Sequence, residues 1–248
     1  MPISFLSQSP HPTDQTSSHL KLIQSLSQVL SQAGINVYHL PPALSEEPYM
    51  IARHALCHQG KILALDSKHP AKISPYIASF LSQKQHTLRH TSEPGEKIHQ
   101  PLAPMPVHFK DNTAYVMQKQ GSLENLSEKI AQTWQIRCVD LVEHANQAPW
   151  ASFLPIDEAH ALCYLEAFDK PSQQKILQEF EVIPVPYAEV ILGACGAIVV
   201  DKSVYLPSEC SETAFELSQR GFNPIGIQTE HENPLHLNDL FLRFEESE

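Results

Sequence analysis

The chain has 248 residues, 42% hydrophobic and 18% charged, a globular balance that excludes a disordered polymer. Its formal charge of −11, with 17 Lys and Arg against 28 Asp and Glu, argues against a nucleic-acid partner, because phosphate binding needs a basic surface. No run approaches the ~18 apolar residues of a membrane span. MPISFLSQSP lacks the basic and long apolar regions of a secretory signal, and the five scattered cysteines resemble reduced core thiols, so a soluble cytoplasmic protein is expected.

In chain order, ISFLSQ (3–8) is the first strand candidate. TSSHLKLIQSLSQVLSQA (16–33) puts Leu20, Ile23, Leu26, Leu30 and Ala33 on one helical stripe, with Ser17 or Ser18 as N-cap and Gly34 to end it. INVYHL reads as a strand, and YMIARHALC and KILAL as a hairpin about His58-Gln59-Gly60. The order then returns. PAKISPYIASFLSQK (70–84) is helical, HTLRHT extended, and PVHFK and TAYVMQ flank the turn Asp111-Asn112. SLENLSEKIAQTW (122–134), capped by Ser122, leads to QIRCVDLV, and WASFLPI and HALCYLEA flank Asp157-Glu158. PSQQKILQEF (171–180) starts with Pro in its first turn and leads to EVIPV, an extended AEVILGAC, and AIVV with VYLP. SETAFELSQRG (211–221) leads to NPIGIQ and the closing HLNDLFLRF.

Helix, strand, loop and hairpin therefore recur, with helices starting near 17, 71, 122, 171 and 211, about 40 to 54 residues apart. No such unit buries both its helix and its strands alone, so the units should associate around a common centre. The expectation is a single α/β domain over 1–248, a five-unit pseudo-symmetric α/β propeller. Its repeats are 16–66, 70–118, 122–167, 171–207 and 211–244, closed by residues 2–8. A doubly wound α/β sheet is the alternative, and it handles the paired strands poorly.

Two stretches resemble the pentein fold, and within it the dimethylarginine dimethylaminohydrolases and arginine deiminases. These are HLKLIQSLSQVLSQAGINVYHLPP and EVIPVPYAEVILGACGAIVVDKSVYLPSECSETAFELSQRGFNPIGI. The resemblance implies guanidinium hydrolysis, in which a cysteine thiolate attacks the central carbon, a histidine moves protons and carboxylates hold the cation. At the matching positions those parts are missing. The family's Asp-x-Val-Phe-Val-x-Asp falls on residues 47–53, where Glu47 keeps a carboxylate and Arg53 reverses the second charge. Leu-Asp-Gly-Gly-Asp falls on Leu102-Ala103-Pro104-Met105-Pro106, and the catalytic-His segment on Pro149-Trp150-Ala151-Ser152. The Gly-Gly-x-x-Cys segment falls on Leu235 to Asp239, putting Asp239 at the nucleophile position.

The resemblance therefore implies a catalytically degenerate relative with no catalytic residues in place, acting through binding or assembly. Its alternative is an active hydrolase of arginine or methylated arginine with a rearranged site, using Cys195 or Asp239 covalently. Glu47, Arg53, Trp150 and Asp239 are the candidate residues of the degenerate cleft, with Arg53 and Asp239 expected to pair. The partners expected are a small cationic or amino-acid-like ligand, a second copy or another protein, with no nucleic acid or membrane. No cofactor is expected, and no metal either: on a strand His54 and His58 share a face while Cys57 points away. Cys138, Cys163 and Cys195 read as core.

Overall fold

A computed structural model describes residues 3–8, 18–40, 55–59, 61–64, 80, 83, 87–90, 107–119, 126–144, 152–229, 237 and 242–245. By its contacts the chain divides into two compact units, Met1–Pro104 with Asp239–Glu248, and Met105–Asn238. No helix among the described residues is long and apolar enough to cross a membrane.

In the first unit, β1 (Ile3–Gln8) is followed by α1 (Ser18–Gln32) and β2 (Asn36–Leu40). Strand β1 runs parallel to β2 and antiparallel to the last strand of the chain, β15 (Leu242–Glu245). Helix α1 buries Leu22, Ile23, Leu26 and Leu30. The stripe expected from the sequence is shifted at its end. Ala33 is exposed, because the helix stops at Gln32 and Gly34 turns the chain at φ +80°. The second sheet holds the hairpin β3 (Ala55–His58) and β4 (Lys61–Ala64), with β5 (Thr87–His90) parallel to β4.

The second unit repeats the arrangement three times. Its first sheet is β6 (Val107–Lys110), β7 (Thr113–Lys119) and β8 (Arg137–Glu143), with α2 (Leu126–Trp134) between the last two. Its second is β9 (Phe153–Pro155), β10 (His160–Cys163) and β11 (Glu181–Pro184), with α3 (Lys170–Glu179) preceding β11. After α4 (Tyr187–Ile191), the third is β12 (Ile198–Val200), β13 (Ser203–Pro207) and β14 (Asn223–Ile227), with α5 (Ser211–Gln219) before β14.

Among the described residues, each of the five sheets has three strands, and its central strand pairs antiparallel with one neighbour and parallel with the other; in the second unit the antiparallel pair is a hairpin and the parallel strand follows the next helix. In the second unit the hydrogen bonds thus cut the repeat in a different phase from the sequence reading: strand, strand, helix, strand. The repeat is visible in the backbone too. Gln59, Asp111 and Asp201 occupy the left-handed region at three of the hairpin turns, with φ of 47°, 47° and 52°. Gly34, Gln135 and Gly221 do so where α1, α2 and α5 end.

The stretch AEVILGAC, expected to be extended, is instead α4 followed by a 3-10 turn at Ala194–Gly196. Pro184 and Pro186 bracket the end of β11 and start the helix, and Gly193 at φ 92° stops it. An aromatic triangle fills part of the second unit's core. The rings of Tyr115, Phe153 and Phe180 lie 5.3 to 5.5 Å apart at tilted or edge-on angles. The Tyr115 hydroxyl donates to Glu179 at 2.5 Å, and Arg137 pairs with the same carboxylate at 2.6 Å.

Candidate functional site

The four residues that sequence reasoning places in a central cleft, Glu47, Arg53, Trp150 and Asp239, lie outside the described residues. Two positions beside those segments are described. Ser152 enters β9 with its side chain buried and its carbonyl accepting from the Tyr164 N–H at 2.8 Å. Leu237 is also buried. Both belong to the interior of the second unit and present nothing reactive to solvent.

The thiols on which a rearranged nucleophile would depend are interior groups. Cys195 lies in the 3-10 turn at 0% exposure. Burial pushes its thiol far up, and the charge of Glu143 adds to the shift. Cys163 moves the same way, from burial first and then its neighbours Cys195 and Glu143. Cys210 is pushed up to about 12 by burial, Glu189 and Glu209. Half-buried Cys138 is raised by burial and Asp140. Because the thiolate is the attacking species, none of these four is poised for chemistry at neutral pH. The Cys57 side chain lies outside the described residues. Among the described residues, no group of three or more His, Cys, Asp or Glu side chains could hold a metal ion.

One open feature of the second unit is a cleft of about 620 Å³. Three segments build it: Cys163–Glu166 leaving β10, residues of β11 with the Pro184-Val185-Pro186 turn, and the first turns of α5. Val182, Pro184, Pro186 and Leu165 make it largely apolar, and Glu166, Glu212 and Glu216 make it acidic. Phe215 projects from α5 at 61% exposure. On the opposite rim, Tyr164 donates its hydroxyl to Glu166 at 2.9 Å and its ring lies 5.7 Å from that of Tyr187. Partial burial, then Glu166, push the Tyr164 phenol upward.

One buried carboxylate positions the α5 wall. Cys210 caps α5 with no side-chain hydrogen bond, so its first N–H groups need acceptors from elsewhere. Glu189 of α4 supplies them. Its carboxylate accepts from the Glu212 and Thr213 N–H groups, each at 2.8 Å, and from the Thr213 hydroxyl at 2.5 Å. A negative charge at a helix N-terminus is also favoured by the helix dipole. Glu189 thereby fixes where Glu212, Phe215 and Glu216 point.

Sequence reasoning picked out none of the cleft residues. The spacing of 212, 215 and 216 does mark one helical face, which is the available signal. Glu189 has no local signal, since its partners lie 23 and 24 residues further along.

No family model matches the chain, and no curated protein matches it by sequence. Solved structures do match it in shape. The product-bound N-terminal domain of ArgZ, an arginine dihydrolase from the ornithine–ammonia cycle in cyanobacteria, aligns with a TM-score of 0.75 at 17% identity, covering 99% of this chain and 98% of that domain. A cysteine-to-alanine variant of AgrE with L-arginine aligns at 0.77 and 17% identity, over 98% of this chain. A dimethylarginine dimethylaminohydrolase adduct aligns at 0.71 and 13% identity, over 98% of this chain and 100% of that one. The chain spans 40% of the longer ArgZ and AgrE chains. Its fold is that of the pentein-type guanidino-modifying enzymes.

Proposed function

We propose that this chain is a catalytically degenerate relative of the guanidino hydrolases, acting in the cytoplasm as a binding or assembly protein. In this reading, the five sheets are the blades of one closed propeller domain, with the degenerate cleft of Glu47, Arg53, Trp150 and Asp239 at its centre. The shared strand pattern of the sheets supports the propeller, as does the match of nearly the whole chain to a single ArgZ domain.

The observation that carries the reading is the state of the thiols. The reaction implied by the fold needs an activated sulfur, and Cys163, Cys195 and Cys210 are buried with their thiols pushed up. The sequence compounds this. It holds no Cys after Cys210, no His between His144 and His160, and no Gly after Gly226. A cationic amino acid is the first ligand to test, since a relative of this fold was captured with L-arginine. An active hydrolase using Cys195 would need that side chain brought out of the core, and a carboxylate nucleophile at Asp239 would sooner pair with a guanidinium than attack it.

The experiment is to incubate the purified protein with arginine, methylarginines and agmatine, measuring released ammonia and ureido product alongside a thermal shift. The expected result is no turnover. A shift in melting temperature with arginine supports a small-molecule site, and no shift supports a protein partner. Turnover overturns the reading. Asp239→Cys alone should stay inactive, because the proton-carrying histidine and paired carboxylates are also missing from their matching positions.

A further inference from the structure

We infer that the acidic cleft of the second unit is a docking site for a basic, otherwise apolar peptide segment of a protein partner. This does not rest on the reading of the central cleft, from which it is separate in sequence.

Charge selects the partner's sign. A helix N-terminus by itself would favour an anion, but Glu189 already occupies the leading N–H groups of α5. What remains for a ligand is carboxylate. Arg220 pairs with Glu216 at 2.5 Å and so offsets one charge. Glu166 accepts only from a neutral tyrosine hydroxyl, and the Glu212 carboxylate has no ion-pair partner among the described residues. Among the described residues, no Lys or Arg lines the cleft.

Aromatic surface selects the cation's form. Glu212 and Phe215 stand three residues apart on α5 and face the same cleft. A guanidinium or ammonium lying over the Phe215 ring therefore reaches a carboxylate as well, a combination of cation–π contact and ion pairing. The apolar lining at Val182 and Leu165 suits the aliphatic stem that carries such a group.

Extent selects a peptide over a free amino acid. Exposed apolar surface continues past the cleft along one face of α4, with Tyr187 at 50% exposure and Ile191 at 37% one turn on. Exposed apolar area continuous with a cleft marks an interaction surface. One side chain would fill part of the cleft and leave that rim in water, whereas an extended segment covers both.

The test is fluorescence anisotropy with a short labelled peptide of alternating leucine and arginine, against a counterpart carrying glutamate for arginine. Saturable binding of the basic peptide is expected, weakening as salt rises. Glu212→Gln and Phe215→Ala should each weaken it roughly five-fold. Leu177→Ala, which removes an exposed apolar residue of α3 outside the cleft, should leave it unchanged. Equal binding of the acidic peptide overturns the inference, as does unchanged affinity in both cleft variants. Displacement by free L-arginine at the peptide's own concentration also overturns it, in favour of a small-molecule site. Self-association lost in Phe215→Ala, with no peptide binding, overturns it in favour of a second copy. The variants sit on the surface, and unchanged melting temperatures verify that they fold.

Discussion

The inner and outer sides of the region from β10 to α5 hold opposite kinds of chemistry. Inside are the thiols of Cys163, Cys195 and Cys210 and the carboxylate of Glu189, each buried and the last fully engaged by backbone and hydroxyl donors. Outside are Glu212, Phe215 and Tyr187, exposed and little used by the fold. Groups that could attack a substrate are shielded from it, and groups that could hold a partner are left open. The interior of this region thus holds its thiols, and its surface exposes carboxylate and aromatic side chains.

The sharpest way to break this comparison is to measure thiol access. Alkylation of Cys163, Cys195 and Cys210 by iodoacetamide, followed by peptide mass spectrometry, should be slower in the native protein than in urea by at least about 100-fold. That is the protection expected when reaction awaits an opening that costs about 3 kcal/mol. A native rate near that of an unfolded thiol at Cys195 would place a usable nucleophile on the wrong side of the divide.

Next in size is the loss of Glu189. Glu189→Ala leaves two α5 N–H groups and the Thr213 hydroxyl without their acceptor, and should destabilise the protein by about 3 kcal/mol. Glu189→Gln keeps one carbonyl acceptor but removes the charge facing the helix dipole, so a smaller loss of about 1.5 kcal/mol is expected. Urea unfolding measures both. If the alanine variant is as stable as the parent, Glu189 does not hold the cleft wall, and the inside and outside of this region are independent.

A third measurement probes the seam between sheets of the second unit. Tyr115→Phe keeps the aromatic triangle and removes the hydroxyl that donates to Glu179, leaving Arg137 to pair with that carboxylate. A cost of about 1 kcal/mol follows from the lost hydrogen bond. No effect on peptide affinity is expected, because neither residue lines the cleft.

How much of this the sequence disclosed depends on whether the deciding contact was local. The turn at Asp111, the break at Gly34 and the proline in the first turn of α3 are short-range signals, and each could be read directly. The apolar run AEVILGAC suits a strand or a helix equally. What decides it is the turn chemistry of Pro186 and Gly193 and a carboxylate whose partners come 23 and 24 residues later. Amphipathic reasoning fails at Phe215, since a large apolar residue at 61% exposure contradicts the rule that such groups go inside. The cleft joins three segments that no periodicity links. Burial of Cys163 and Cys195, by contrast, followed from their apolar neighbours, whereas Cys138, expected in the core with them, is half-buried at the surface of β8.

The smallest effect separates carboxylates spent on the fold from those left for binding, and pH reveals it. Asp169 caps α3 by accepting from the Ser172 N–H at 2.9 Å. Burial raises its carboxyl, but the bonds to Ser172 and the charges of Lys175 and His144 outweigh that and hold it below its usual value. Asp157 behaves alike: burial raises it, and bonds from Ala159 and His160 bring it net downward. A carboxyl depressed on folding contributes stability that is present above its unfolded pKa of about 3.9 and is lost as pH falls through the folded value. Stability should therefore decline below about pH 4. Asp169→Ala should cost about 1 kcal/mol at pH 7 as a lost N-cap, and less as the pH falls through that window. Asp157 is 42% exposed, so water screens its share to a few tenths of a kcal/mol at most, and Asp157→Asn should barely move the unfolding midpoint. Glu212→Gln, with no hydrogen bond or ion pair through its carboxylate among the described residues, should leave the acid limb of the stability curve where it was while weakening peptide binding. If it shifted that limb as far as Asp169→Ala does, Glu212 would belong to the fold and not to the docking surface.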